Sequence, residues 1–246
     1  MKPFLILQLR PEDDAADNEF AAFMDKGGFE PDDVVRLRLD QTSLPDDLNL
    51  DDYSGVIVGG GPGCVSDPVA TKDPVEKRIE DEILALMPEI CARDVPFLGC
   101  CYGMGVLGHH LSPGVVSKDR FGEPVGAVDC ALTDEGRADP LLDGVPDDFR
   151  ALVGHKEAVQ ALPDDAVHLV CSEPAPFQML RFGQNVYATQ FHPEADAEGF
   201  ETRINIYKYK GYFPPEQAEH LIANLRKEDI RFPEVILRNF KAIYAR

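Results

Sequence analysis

Residues 96–105 read Pro-Phe-Leu-Gly-Cys-Cys-Tyr-Gly-Met-Gly. A short apolar run (Val95, Phe97, Leu98) enters a turn of small residues, and a helix-compatible stretch follows from Met104 to Leu111. Strand, tight turn and helix with a nucleophile at the turn make an elbow. The turn lifts the side chain clear of the sheet, and flanking glycines let backbone and ligand approach closely. Cys101, between Gly99 and Gly103, is the candidate nucleophile; Cys100 ends the strand as a buried residue. The competing reading is that both thiols are packing, because free cysteine is among the most buried residue types. The positive end of the helix dipole is expected to favour a thiolate at Cys101.

Upstream of the elbow, strand and helix signals alternate. Pro3–Leu9 reads as a buried strand, Pro11–Asp17 as an acidic loop, and Glu19–Lys26 as a helix stopped by Gly27-Gly28. Val34–Leu39 alternates as a strand near a sheet edge does, and Gly55–Val58 is a further apolar strand. That strand runs into Gly59-Gly60-Gly61-Pro62-Gly63, a loop that exposes backbone N–H groups. No Lys-Ser/Thr pair follows it, so it is no P-loop, and Pro62 breaks a dinucleotide fingerprint. It is either a plain tight loop or a source of oxyanion donors. Asp73–Cys91 is a helix by period, with Val75, Ile79, Ile83, Leu84, Leu86 and Ile90 as its core stripe. The order β-α-β-β-α-β-elbow-α predicts an α/β fold, with a mainly parallel central sheet flanked by helices in flavodoxin-like layers. Sites in such sheets lie at the carboxyl ends of strands, where both the glycine loop and the elbow fall.

Beyond the elbow the pattern changes. Gly114–Lys118, Val125–Leu132, Ala151–Val153, Val167–Cys171, Gln178–Phe182 and Val186–Gln190 read as short strands. They predict a smaller antiparallel patch, or hairpins continuing the sheet. Phe200–Tyr209, Pro215–Lys227 and Phe232–Arg246 read as helices, so the chain is expected to be a single domain over residues 1–246 with a helical extension from about residue 197.

With 246 residues, 44% hydrophobic and 28% charged, the chain can bury a substantial core. Its formal net charge of −20 argues against nucleic acid or an anionic membrane as a partner. The six cysteines show no metal-ligand spacing and suit reduced thiols, and no run suits a signal peptide or membrane span. A cytoplasmic protein without metal or cofactor is expected; the adjacent His109 and His110 make a poor chelate.

Thr189-Gln190-Phe191-His192-Pro193-Glu194 closes the last strand. In an extended segment His192 and Glu194 point the same way, as a base and its orienting carboxylate must. Glycine loop, elbow and this stretch together resemble the class I glutamine amidotransferases, which carry Gly-Gly-Pro, Pro-x-Leu-Gly-x-Cys-x-Gly and Gln-Phe-His-Pro-Glu in this order. The corresponding residues here are Gly60–Pro62, Pro96–Gly103 and Gln190–Glu194, and the resemblance spans about residues 40–195. The region Leu152–Pro163 is similar to the family's substrate loop, and Gln178–Phe182 and Gly211-Tyr212-Phe213 look like stand-alone members resembling the amidotransferase domain of GMP synthase.

The resemblance implies Cys101 as nucleophile toward the side-chain amide of glutamine, His192 as general base and then acid, and Glu194 as its orienting partner. It implies oxyanion donors at the Gly61 and Tyr102 amides, and a substrate-holding loop at His155, Lys156 and Glu157. Three departures stand out. Gly105 replaces a glutamine that holds the substrate's amino-acid end, Ala188 replaces a glycine, and Lys156-Glu157 stands where glycine and an acid are commoner. They point to altered substrate recognition with the chemistry intact. Three functions compete: a glutamine amidotransferase passing ammonia to a separate synthetase, a free-standing γ-glutamyl hydrolase, and a non-catalytic regulatory module.

Overall fold

The structure, a computed structural model, describes residues 2–246. The elements in chain order are β1 (Phe4–Gln8), α1 (Asp13–Gly27), β2 (Val34–Arg38), β3 (Gly55–Val58), α2 (Pro74–Arg93), β4 (Phe97–Cys100) and α3 (Tyr102–Leu111). There follow β5 (Val116–Ser117), β6 (Glu123–Leu132), α4 (Asp134–Arg137), β7 (Asp148–His155), β8 (Ala158–Val159), β9 (Ala166–Ser172), β10 (Met179–Phe182) and β11 (Val186–Thr189). The chain ends with α5 (Ala197–Tyr207), α6 (Ala218–Leu225) and α7 (Pro233–Tyr244).

The fold is α/β. One nine-stranded sheet has the order β2-β1-β3-β4-β11-β10-β9-β6-β7. Strands β2, β1, β3, β4 and β11 are parallel, and β10, β9, β6 and β7 continue the sheet antiparallel. β5 and β8 form a separate antiparallel pair. The parallel strands β1, β3 and β4 are buried throughout, which explains their continuous apolar runs; β2, on the edge, alternates Arg with apolar residues. One face of the sheet packs Phe4, Phe23, Ile57, Leu98 and Phe240, and the other packs Leu5, Val56, Ile83, Met87 and Phe97. α7 belongs to the first face, where its Phe240 ring lies 5.7 Å from that of Phe4.

Three local expectations change. The acidic segment at residues 11–17 is not a loop throughout, because α1 starts at Asp13. Asp13 and Asp14 occupy its first turn, where negative charge suits the dipole, while Ala15 and Ala16 are buried. The stripe on α2 is Ile79, Ile83, Met87 and Ile90, with Val75 41% exposed, because the N-capping Asp73 sets the first turn out in solvent. His192 and Glu194 lie past the end of β11 in a turn, closed by Ala195 N–H donating to His192 O at 3.2 Å, rather than in an extended segment. Pro193 has the fixed φ that suits the first inner position of such a turn.

Candidate active site

Register brings the three motifs together. β4 lies between β3 and β11, pairing Val58 with Gly99 and Thr189 with Cys100. The glycine loop, the elbow and the His192 turn therefore leave the sheet at the same edge, from three adjacent parallel strands. Cys101 N–H donates to Thr189 O at 2.7 Å and fixes the elbow to the strand that leads to His192.

Cys101 has φ 56° and ψ −87°, a conformation that costs a non-glycine residue on the order of 1–3 kcal/mol. The surroundings enforce it. A Cβ at Gly99 would lie 2.7 Å from the Gly103 carbonyl carbon, so strand and helix meet there without room for a side chain. Cys100 is fully buried and Cys101 partly exposed, which separates their roles as the elbow reading expects.

His192 Nδ1 is 2.8 Å from Glu194 Oε1, and both side chains are buried. Arg203 Nη1 lies 3.0 Å from the same oxygen and 3.3 Å from Nδ1. A guanidinium only donates, so Glu194 Oε1 accepts from both His192 Nδ1–H and Arg203. That leaves Nε2 as the unprotonated nitrogen of the neutral ring. Burial pushes His192 below its ordinary value against the pull of Glu194, and Arg203 and Arg10 push it the same way. Burial opposes ionisation of Glu194, yet His192 and Arg203 hold its carboxyl well below the usual range.

Burial also pushes the Cys101 thiol up to about 12, with Arg10 opposing. This direction runs against the thiolate that the helix dipole by itself would favour. A helix terminus contributes about 0.3–1 kcal/mol, less than one pH unit's worth at about 1.4 kcal/mol each. Desolvation outweighs it. Thiol and imidazole are both held neutral.

Cys101, His192, Gly61 and Gly154 line one cleft, walled by Phe200, Tyr207 and Tyr212. A second hollow opens on the other side of the thiol, lined by Gly63, Cys64, Gly105, Lys156, Glu157 and Gln190. Gln190 Nε2 sits 3.9 Å from Cys101 Sγ. The Gly61 and Tyr102 amides border this space and donate to no other group among the described residues.

The three side chains of the expected substrate loop are engaged within the protein. His155 Nε2 meets Glu123 Oε2 at 2.7 Å and its Nδ1 donates to Glu157 O at 2.8 Å. Lys156 Nζ stands 4.1 Å above the Tyr212 ring. Glu157 accepts from Val65 N–H and Ser66 N–H, each at 2.8 Å, and from Ser66 Oγ at 2.6 Å. A Cβ at Gly105 would lie 2.8 Å from Glu157 Oε1. The carboxylate thus fills the space over Gly105, and the departures at 105 and 157 form one structural unit.

Sequence reasoning missed Arg10, Glu19 and Arg203. Arg10 Nε meets Glu19 Oε1 at 2.8 Å, and its Nη1 donates to Tyr207 OH at 3.2 Å. Glu19 is fully buried and also accepts from Gly60 N–H at 3.2 Å, tying α1 to the glycine loop. A Cβ at Gly60 would lie 2.6 Å from Arg10 Nη2 and 2.7 Å from His192 Cε1, so this glycine lets both side chains reach the cleft.

The sequence model of the class-I glutamine amidotransferases matches residues 32–208. The chain belongs to the class-I glutamine amidotransferase family. It is 31% identical over 155 residues to the glutamine-hydrolysing GMP synthase of Thermosipho africanus, covering 61% of this chain and 26% of that protein. To that of Streptococcus pneumoniae strain CGSP14 it is 30% identical over 165 residues, covering 64% and 28%. The chain spans about a quarter of the length of these curated relatives. Among solved structures, a glutamine amidotransferase from Thermotoga maritima superposes with a TM-score of 0.75 at 20% identity, covering 99% of each chain. One from Methylobacillus flagellatus gives 0.72 at 22% identity, covering 100% of this chain and 96% of that one. These two likenesses concern the fold. No described helix is long and apolar enough to cross a membrane.

Proposed function

We propose that this class-I amidotransferase hydrolyses glutamine through a covalent γ-glutamyl thioester on Cys101. The observation that carries the reading is the cleft shared by Cys101 and His192, with Glu194 fixing the imidazole through Nδ1. His192 Nε2 takes the thiol proton as Sγ attacks the γ-carbonyl carbon, so the neutral pair reacts without a preformed ion pair. The tetrahedral oxyanion accepts from the Gly61 and Tyr102 amides, each donor contributing about 3 kcal/mol. The carbon–nitrogen bond then breaks, and His192 returns its proton to the departing ammonia. Water, deprotonated by the same imidazole, attacks the thioester carbon and releases glutamate and the thiol. The glutamyl moiety lies in the hollow with Lys156 and Glu157, where His155 and Glu157 shape the backbone that meets it. In an amidotransferase setting the ammonia passes to a separate synthetase; the much longer relatives are named as glutamine-hydrolysing GMP synthases.

A second reading, a free-standing γ-glutamyl hydrolase, is favoured by the cleft on the His192 side. That cleft is lined by Phe200, Ile204, Tyr207, Tyr212 and Phe213, apolar surface that a departing ammonia does not use.

The test is labelling with a chloroketone analogue of glutamine, beside ammonia release from glutamine. Labelling at Cys101, abolished in Cys101→Ala together with turnover, is expected. An unreactive Cys101 with no turnover of any γ-glutamyl amide would overturn the reading in favour of a non-catalytic module.

A further inference from the structure

The hollow and the cleft meet at Cys101, and only the cleft contains His192. A general acid must reach the leaving nitrogen, so the leaving amine departs into the cleft and the acyl portion occupies the other side. The cleft holds two arginines that are each about nineteen-twentieths buried, Arg10 and Arg203. Burying a guanidinium costs several kcal/mol unless charge and hydrogen bonds are both met. Charge is met once for each, by Glu19 and by Glu194. The hydrogen bonds are not. Arg203 Nε and Nη2 are buried without an acceptor. Arg10 donates through Nε and Nη1, while its Nη2 donates to no described group and lies against Gly60 beside the His192 ring. An unused Arg10 donor therefore lies beside the His192 ring, where a leaving amine departs, in a chain whose net charge is −20. Ammonia offers such a donor only one neutral lone pair, whereas a carboxylate on the leaving amine offers a charged acceptor, the stronger partner for a guanidinium.

We propose that the substrate is a γ-glutamyl amide whose leaving amine carries a carboxylate, as in a γ-glutamyl amino acid, and that Arg10 reads this group. The inference rests on the thioester reading above and deepens its hydrolase form. Cys101 Sγ bonds to the γ-carbonyl carbon, the bond to the amino acid's nitrogen breaks, and His192 protonates that nitrogen. Water completes the hydrolysis to glutamate and a free amino acid. Arg203 stays on Glu194. The rings of Phe200 and Tyr212 close the cleft around the amino acid's carbon skeleton.

The experiment compares kcat/KM for γ-glutamylglycine, γ-glutamylglycinamide and glutamine with the full chain. The two glycine compounds differ only in carboxylate against carboxamide. A preference of about tenfold or more for the carboxylate is expected, since a site built for an acceptor charge loses that much with its neutral analogue. In Arg10→Gln the ratio falls toward one, and in Arg10→Lys it keeps an intermediate value. A wild-type ratio near one, or an Arg10→Gln variant that loses both substrates in equal proportion, overturns the inference. The wild-type ratio decides the matter if the variants do not fold. Hydrolysis of glutamine or the carboxamide without preference for the carboxylate leaves the thioester reading standing and sinks only this one. No turnover of any of the three, with Cys101 unlabelled, removes the underlying reading as well.

Discussion

Substituting Glu194 by Gln separates the two jobs of this carboxylate. Glu194 is fully buried, and its Oε1 accepts from His192 at 2.8 Å and from Arg203 at 3.0 Å. Glutamine keeps the shape and one carbonyl acceptor but removes the charge. Arg203 is then a buried cation with no counter-ion, which costs about 3–5 kcal/mol. Unfolding entropy of about 2 cal/mol/K per residue amounts to about 0.5 kcal/mol/K over 246 residues. The melting temperature therefore falls by about 6–10 °C. Activity falls further than stability does, by about 10²–10⁴-fold in kcat, because the imidazole loses the partner that fixes its tautomer and stabilises its cation. The discriminating measurement is a second variant, Glu194→Gln with Arg203→Met, which removes both charges. Its melting temperature returns most of the way to the wild type, while γ-glutamyl turnover stays lost. Calorimetry and a glutamate-release assay on the wild type and both variants read these quantities. A Glu194→Gln protein melting within about 2 °C of the wild type, or a double variant less stable than the single one, would refute the ion-pair reasoning.

Cys101→Gly relaxes the backbone at φ 56° and is expected to raise stability by about 1–2 kcal/mol over Cys101→Ala, both inactive, as read by chemical denaturation. Gly60→Ala pushes a methyl group into Arg10 and His192, so kcat/KM drops by about 10²-fold while circular dichroism stays native-like. His192 is pushed below its ordinary 6.5 by burial, so the unfolded chain binds a proton more readily than the folded one. Its contribution to stability is present above about pH 6.5 and is lost as pH falls, with Glu194 adding a loss in the acid range as it is protonated. Raising His192 by removing Arg10's charge (Arg10→Gln) moves the acid limb of the kcat/KM profile to higher pH; an unmoved limb counts against that coupling.

The α/β class and the three motifs were legible because each is local. The glycine loop, the elbow and the His-Pro-Glu turn are contiguous in sequence, and adjacent parallel strands bring them to one edge without further information. The arginines were not legible. Arg10 falls between the strand read to Leu9 and the acidic loop read from Pro11, and its partner Glu19 comes from the next helix. One signal was present: Glu19 interrupts the buried stripe Ala15, Ala16, Phe23 at helical spacing, as Arg203 interrupts Phe200, Ile204, Tyr207. A charge on an apolar face calls for a partner, though not for any particular one. The joint departure at Gly105 and Glu157 was visible as two oddities. Their contact needs the fold, because 52 residues separate them in sequence.

The direction of the two central pKa shifts explains why so much of the machinery is structural. A thiol pushed up and an imidazole pushed down leave the resting site uncharged at its centre, although its rim carries two arginines and two carboxylates. On the proposed mechanism, ionisation of Cys101 and His192 is thereby deferred until a carbonyl carbon is in place to take the electron pair. The burial responsible for this also lowers the local dielectric, which would strengthen the hydrogen bonds that the Gly61 and Tyr102 amides offer an oxyanion on the proposed mechanism. It strengthens equally the pull of Arg10 on any anion entering beside His192. On the proposed mechanism reactivity follows occupancy: a small thiol reagent meets a protonated Cys101, whereas a γ-glutamyl amide would bring the electrophile, fill the oxyanion donors and exclude water in one event.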